Sequence, residues 1–212
     1  MESKRTADQI LDIAQSLIQA GGYEGFSYAS IATELGIRKA SIHHHFPTKG
    51  DLAQRLIERY QQAFSRELSA IDQKSKRPKQ KLEAYAELYV GVLRNDDRLC
   101  LCGMYAAELP SLPPAVQELV RGFFRENERW LAGVVSEGAA EGKLVLGGKP
   151  EDVARLVLTT LEGGMLVARA QRDVDYLRGV AKRLIEGLFK PREKAPSKKV
   201  APRRSTKTSA AR

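Results

Sequence analysis

The sequence predicts an all-α chain made of a small N-terminal part and a larger C-terminal part, and three observations carry that expectation. Nearly every long segment repeats its apolar residues at three- or four-residue spacing, which places them on one helical face. These segments stop at glycine, proline or short polar runs, the usual helix terminators. The single β-like stretch, "KLVL" at 143–146, has no partner strands and reads as a loop or a fraying helix end.

Taken in order, "RTADQILDIAQSLIQAGG" carries Ile10, Ile13, Ala14, Leu17 and Ile18 on one stripe and stops at Gly21 and Gly22. "YASIATELG" follows, with Ser27 as its cap and Gly36 as its stop. A short helix is expected from about Arg38 to His44. The next, "TKGDLAQRLIERYQQAFSREL", opens with Thr48 three residues before Asp51, an imperfect capping box because the partner is Asp rather than Glu or Gln. Leu52, Leu56, Tyr60, Phe64 and Leu68 form its apolar face.

The polar segment "DQKSKRPKQ" at 72–80 is the best boundary between the two parts. Beyond it, helices are expected near 79–94, 101–108, 113–141, 151–169 and 173–189, separated by "RNDD", "LPSLPP" and "EGKLVLGGKPE". The expected organisation is a helix-turn-helix domain at 1–50, a connecting helix at 51–71, a regulatory and dimerisation domain at 72–190, and a basic tail at 191–212.

The chain of 212 residues has a net charge of +9, but eight Lys or Arg and one Glu of that balance lie after residue 190. The tail has one Val as its largest apolar side chain and cannot bury enough surface to order itself. It adds at most a non-specific attraction to polyanions, so net charge alone is weak evidence for nucleic-acid binding. The apolar runs are interrupted by charges and the start lacks the apolar core of a secretory signal, so neither a membrane span nor export is expected. Two cysteines are too few for a disulfide scaffold and suit a reducing cytoplasm.

All three histidines sit together in "IRKASIHHHFPTKGDL" at 37–52. Adjacent helical residues point about 100° apart, so His43, His44 and His45 cannot easily converge on one metal ion. Two helices joined across a glycine turn, the second short and basic at its start, instead form a helix-turn-helix. Ile31, Ala32, Leu35, Ile37 and Ile42 fill the space between them and leave Arg38, Lys39, Ala40, His43 and His44 outward. The start of such a helix enters the DNA major groove, where side chains either read base edges or anchor phosphates.

These residues resemble the DNA-binding domain of TetR-type transcriptional regulators. The resemblance lies in "ILDIAQSLIQAGGYEGFS", "IATELGI" and "SIHHHFPTKGDL", and is strong over about residues 5–55. The resemblance implies that Ser27 anchors the DNA backbone, that Arg38, Lys39 and Ala40 read bases, and that His43, His44 and Lys49 face phosphate. His43 stands where the family commonly has Tyr. His45 and Phe46 match the pair that packs the recognition helix against its domain. The family further implies a homodimer on double-stranded operator DNA, mostly as a repressor, and a small-molecule effector bound in the C-terminal domain.

The last two helices, with Val153, Leu156, Val157, Leu161 and Leu166 and then Leu177, Val180, Leu184 and Leu188, are suited to pairing with a second copy, and Gly163 and Gly164 permit close approach. Tyr85, Tyr89, Met104, Tyr105, Phe123, Phe124, Trp130 and Met165 either pack the core or, as a set, line a largely apolar ligand site; Tyr89, Met104, Tyr105, Phe123, Trp130 and Met165 are the candidates retained.

In "RLCLCGMYAAELP", a Cys at a helix start near Arg98 favours the thiolate. Cys100 and Cys102 would face different directions if both were helical, and the spacing suits a disulfide poorly. The segment resembles the Cys–x–x–Gly–x–x–x–x–Glu opening of some TetR branches that answer to electrophiles or oxidants, through Cys100, Gly103 and Glu108. Structural cysteine, thiol sensing and simple ligand contact remain open. There is no nucleophile turn, phosphate-binding glycine loop or metal-ligand pattern, so no enzyme activity and no cofactor are expected. A helical adaptor that binds no DNA is the alternative of another class.

Overall fold

The computed structural model describes residues 2–145 and 148–189, so the basic tail expected at 191–212 lies outside the described residues. Nine α-helices are found among them: α1 (Glu2–Gly21), α2 (Tyr28–Leu35), α3 (Lys39–His45), α4 (Lys49–Lys74), α5 (Pro78–Arg94), α6 (Leu101–Ala107), α7 (Pro114–Ala140), α8 (Pro150–Gln171) and α9 (Val174–Leu188). A single 3-10 turn, Leu109–Ser111, follows α6. None of the described helices is long and apolar enough to cross a membrane.

The local causes are visible at the helix ends. The Ser27 hydroxyl accepts from the Ser30 N–H to start α2, and Gly36 ends it at φ 64°, returning its N–H to Ala32 and Thr33. Arg38 is the extended N-cap of α3 rather than its first helical residue. At α4 both halves of the capping box form: Thr48 Oγ1 accepts from the Asp51 N–H, and Asp51 Oδ2 accepts from the Thr48 N–H at 2.9 Å. The shorter Asp therefore does the work of the usual Glu. α4 runs unbroken to Lys74, across both boundaries expected at 50/51 and 71/72. Of the β-like stretch, residues 143–145 are described and contribute one antiparallel bridge, Leu144 to Phe189, with the Val145 N–H donating to the Leu188 carbonyl.

The helix-turn-helix closes around Ile31, Ile42, Leu52 and Leu56, all fully buried, with Phe46 and Tyr28 beside them. The Tyr28 hydroxyl donates to the carbonyls of Phe46 at 2.8 Å and Thr48 at 2.6 Å, which pins the turn between α3 and α4. The C-terminal helices pack α7 on α8, α8 on α9 and α5 on α9, with α4 reaching across to α7. A Cβ on Gly164 would stand 2.9 Å from Leu177, so the close approach expected there is made to α9 of the same chain, while Gly163 faces open space. Lys81, 5% exposed, is held between Asp72 at 2.9 Å and Glu137 at 2.8 Å. Burial alone would lower its pKa, but the hydrogen bonds to Glu137 and Asp72 outweigh that and raise it.

Between the two groups of helices lies α6, packed on α1 on one side and on α4 and α7 on the other. Tyr28→Phe removes the donor that ties the α3–α4 turn and should destabilise the N-terminal helices by about 1–3 kcal/mol. Thermal unfolding, read beside amide exchange at Phe46 and Thr48, measures it; an unchanged midpoint would count against this role.

Candidate functional site

Two sites emerge, one on the surface of α3 and one inside the C-terminal helices. On α3, Arg38, Lys39, Ala40, His43 and His44 are exposed, whereas Ile42 and Phe46 are buried and His45 is half-buried. The outward row expected from the helical period is therefore the row that faces solvent. The end of this row is already organised by the chain itself. His43 Nδ1 lies 3.1 Å from the Pro47 carbonyl and its ring meets Tyr28 edge-on at 4.7 Å, leaving Nε2 as its outward nitrogen.

Ser27 is exposed and its hydroxyl is engaged in capping α2, sharing a 2.7 Å contact with Ser30 Oγ. Lys49 is half-buried, its ammonium 4.4 Å from the ring centroids of both Tyr23 and Phe26. Such cation–π contacts orient an ammonium while leaving its outer N–H groups available. His45 stacks edge-on with His44 and tilts against Phe46, in keeping with a packing role.

Inside the C-terminal helices, all six expected ligand residues lie in the core or against it. Tyr89, Tyr105, Phe123 and Met165 are buried, and Trp130 stacks on Tyr85 with centroids 5.4 Å apart. Met104 is half-buried against the same core. Tyr85 donates to Asn127 Oδ1 at 2.8 Å, Asn127 donates to the Phe123 carbonyl at 2.9 Å, and Trp130 Nε1 donates to Asp72 at 2.9 Å. Rings of Tyr60, Phe64 and Phe123 fill the middle at centroid separations of 5.1–6.2 Å. A separate groove of about 550 Å³ between α4 and α7 is lined by polar residues such as Gln54, Gln61, Glu118 and Arg125 and by none of the six.

A cysteine does stand at the start of α6. Cys100 is the extended N-cap of α6, not part of the helix, so it does not follow the 100° step to Cys102. Both thiols are free, buried and hydrogen-bonded to one another. Burial resists ionisation of Cys100, but hydrogen bonds from Cys102, the Gly103 N–H, Glu162 and Tyr60 outweigh it and bring the thiol down to about 6. Burial and its partner's charge push Cys102 well up. Tyr60 reaches Cys100 Sγ at 3.8 Å.

Glu162 was missed by the sequence reasoning. It projects from α8 into this cluster, and a Cβ on Gly103 would stand 2.6 Å from its Oε2, so α6 can pass only because that residue is glycine. Burial, with Cys100 beside it, raises its carboxyl well above the usual range. A signal for it exists in the sequence: Glu162 lies four residues after Leu158 and three before Met165, both buried, hence on the inward face of α8.

α6 also joins the two sites. Glu108, its C-cap, accepts from the backbone N–H groups of Tyr23 at 2.5 Å and Glu24 at 3.1 Å. Gln19 of α1, 3% exposed, donates to the Leu99 carbonyl at 2.9 Å and accepts from the Leu99 N–H at 3.1 Å. Tyr23 in turn touches Tyr105 edge-on and carries Lys49 over its ring.

Comparison with known proteins agrees with this arrangement along most of the chain. Residues 10–56 match the family described as "Bacterial regulatory proteins, tetR family", and residues 78–184 match "Tetracyclin repressor-like, C-terminal domain". The HTH-type transcriptional regulator CymR of Pseudomonas putida is 26% identical over 187 residues, 85% of this chain and 88% of that protein. A TetR-family regulator from Agrobacterium tumefaciens superposes with a TM-score of 0.85 at 36% identity, over 89% of this chain and all of the other. A TetR regulator from Legionella pneumophila does so at 0.77 and 31%, over 85% and 95%. Among the described residues no group of three or more His, Cys, Asp or Glu is arranged to hold a metal ion. With a helix-turn-helix whose outward face is basic, a helical regulatory domain behind it, and both halves matching one family, the chain belongs to the TetR family of DNA-binding transcriptional regulators.

Proposed function

We infer that this regulator binds a palindromic operator as a two-fold dimer, represses by occupying it, and is released by a small, largely apolar molecule held among the C-terminal helices. The observation that carries the reading is the exposed row Arg38, Lys39, Ala40, His43 and His44 on a helix whose opposite side is buried. Arg38, Lys39 and Ala40 sit at the helix start, where base edges are reached, and His43, His44, Lys49 and Ser27 flank it as phosphate contacts. Residues 1–50 supply the DNA-binding part and 72–190 the regulatory and dimerisation part, with α4 crossing both boundaries as the connecting helix.

A second copy is supported by Leu156, Leu166 and Val167 on α8 and Tyr176 on α9, which are 43%, 59%, 43% and 42% exposed. Large apolar side chains clustered on one helix pair suit an isologous interface. The effector reading draws on Tyr89, Met104, Tyr105, Phe123, Trp130 and Met165. Each ligand need only favour the arrangement of α6 that the operator complex disfavours. A cytoplasmic site of action follows from operator binding, and the tail at 191–212 adds attraction to polyanions. The paired thiols favour one further reading, in which modification of Cys100 or Cys102 gives the signal.

Lys49→Ala and His43→Ala should weaken binding to all sequences by similar factors, whereas Arg38→Ala or Lys39→Ala should also change sequence preference, by about 1–3 kcal/mol at a contacted base pair. Binding across a randomised operator library checks this; unchanged preference in both variants refutes the readout assignment. Leu166→Glu should shift the chain from dimer to monomer in sedimentation, and a persistent dimer would place the interface elsewhere. Glu108→Ala should speed amide exchange at Tyr23 and Glu24 tenfold or more and reduce release by effector, while exchange there equal to wild type would remove Glu108 from the signal path. A Cys100→Ser, Cys102→Ser double variant separates the two signals: a reversible ligand still acts on it, and a thiol switch is lost.

A further inference from the structure

The carboxyl of Glu162 is sealed in the protein on the Oε1 side, where it has no hydrogen-bond partner among the described residues. Its other oxygen lies 2.6 Å from where a Cβ on Gly103 would stand, so α6 passes close beside the carboxyl. The carboxyl does interact with Cys100 and Tyr89, yet a buried acceptor oxygen left unmet, as Oε1 is, is rare.

The groups that face it are all acids or neutral. α4 presents Tyr60, α5 presents Tyr85 and Tyr89, and the α6 segment presents Cys100 and Cys102. No Lys, Arg or His is among them, and the buried Lys81 is already held by Asp72 and Glu137. Any negative charge that this cluster carries, on Glu162 or on Cys100, is therefore buried without a counter-ion. Around it stand aromatic faces: Tyr60 against Phe123 at 5.7 Å and Phe64 against Tyr89 at 6.4 Å.

We propose that this cluster receives the cationic nitrogen of an organic ammonium compound, with Glu162 as its anchor and the rings of Tyr60 and Tyr89 beside it. The inference rests on the effector reading above and names the chemistry of that effector's polar end. An ammonium supplies the missing positive charge, an N–H for Oε1, and a cation for the ring faces. A carboxylate or phosphate ligand would meet only acids. Burial raises the carboxyl's pKa and a neighbouring ammonium lowers it, so binding shifts Glu162 toward its ionised form and releases protons to solvent. The same event draws Glu162 off Gly103, which gives α6, and α1 tied to it, freedom to shift together.

The test uses the full chain and three probes of one shape: phenylpropylammonium, phenylpropanol and phenylpropanoate. Thermal unfolding and calorimetry in buffers of different ionisation enthalpy should show the ammonium binding at least tenfold more tightly than the alcohol, with no binding of the carboxylate, and releasing about one proton per chain. Glu162→Gln should cut ammonium affinity tenfold or more, abolish the proton release, and leave the alcohol's affinity unchanged. A carboxylate bound as well as the ammonium, equal ammonium affinity in Glu162→Gln, or failure of all three to bind overturns the assignment. If Glu162→Gln does not fold, ammonium binding to the native chain without proton release overturns it as well. Binding of a neutral apolar panel regardless of residue 162 would sink Glu162 alone, whereas a chain indifferent to every apolar compound tried would sink the effector reading itself.

Discussion

Two backbone N–H groups, those of Tyr23 and Glu24, converge on one carboxylate oxygen of Glu108, and the coupling of the two halves of the molecule depends on that convergence. The loop that follows α1 offers unpaired donors, as the end of any helix and its following turn must place theirs somewhere. Here the acceptor comes from the far half, through the C-cap of α6. The reciprocal pair between Gln19 and Leu99 fixes the same joint from the other side. Four hydrogen bonds across a junction of two helices make α6 and α1 move together.

This joint gives the interior of the C-terminal half a physical path to a surface some distance away. α6 begins at a cluster of thiols, phenols and one carboxyl and ends at the loop that holds Lys49 over Tyr23 and Phe26. A change in the volume or charge of the cluster has its nearest outlet at Gly103, where Glu162 leaves no room for a Cβ. Packed interiors respond to such changes by shifting whole elements rather than by local compression.

The helix-turn-helix was legible in the sequence because each of its requirements is local. Gly36 marks a left-handed turn, Thr48 and Asp51 a cap, and the spacing of Ile31, Ile42 and Phe46 a buried face. What the sequence obscured depended on which backbone state a residue adopts or on partners far along the chain. Cys100 and Cys102 diverge only if both are helical, and the sequence left that open; with Cys100 at the N-cap of α6 they come together. Glu162 was not singled out in the sequence, yet its position between Leu158 and Met165 turns it inward. The role of Glu108 needed Tyr23, 85 residues away, and no periodicity reports that.

Gly22 carries a consequence for anyone who would recombine such regulators. It sits at φ 87°, and a Cβ there would stand 2.4 Å from Glu108 Oε1. Exchanging the N-terminal domain for a homologue's therefore transfers half of a lock whose other half remains behind. A chimaera that splices its new DNA specificity between α3 and α4 would keep residues 19 and 22 from the donor but 99 and 108 from the recipient. Such a protein can fold in both parts and bind its operator, yet be deaf to its inducer. The portable unit for engineering is these four positions taken as a set.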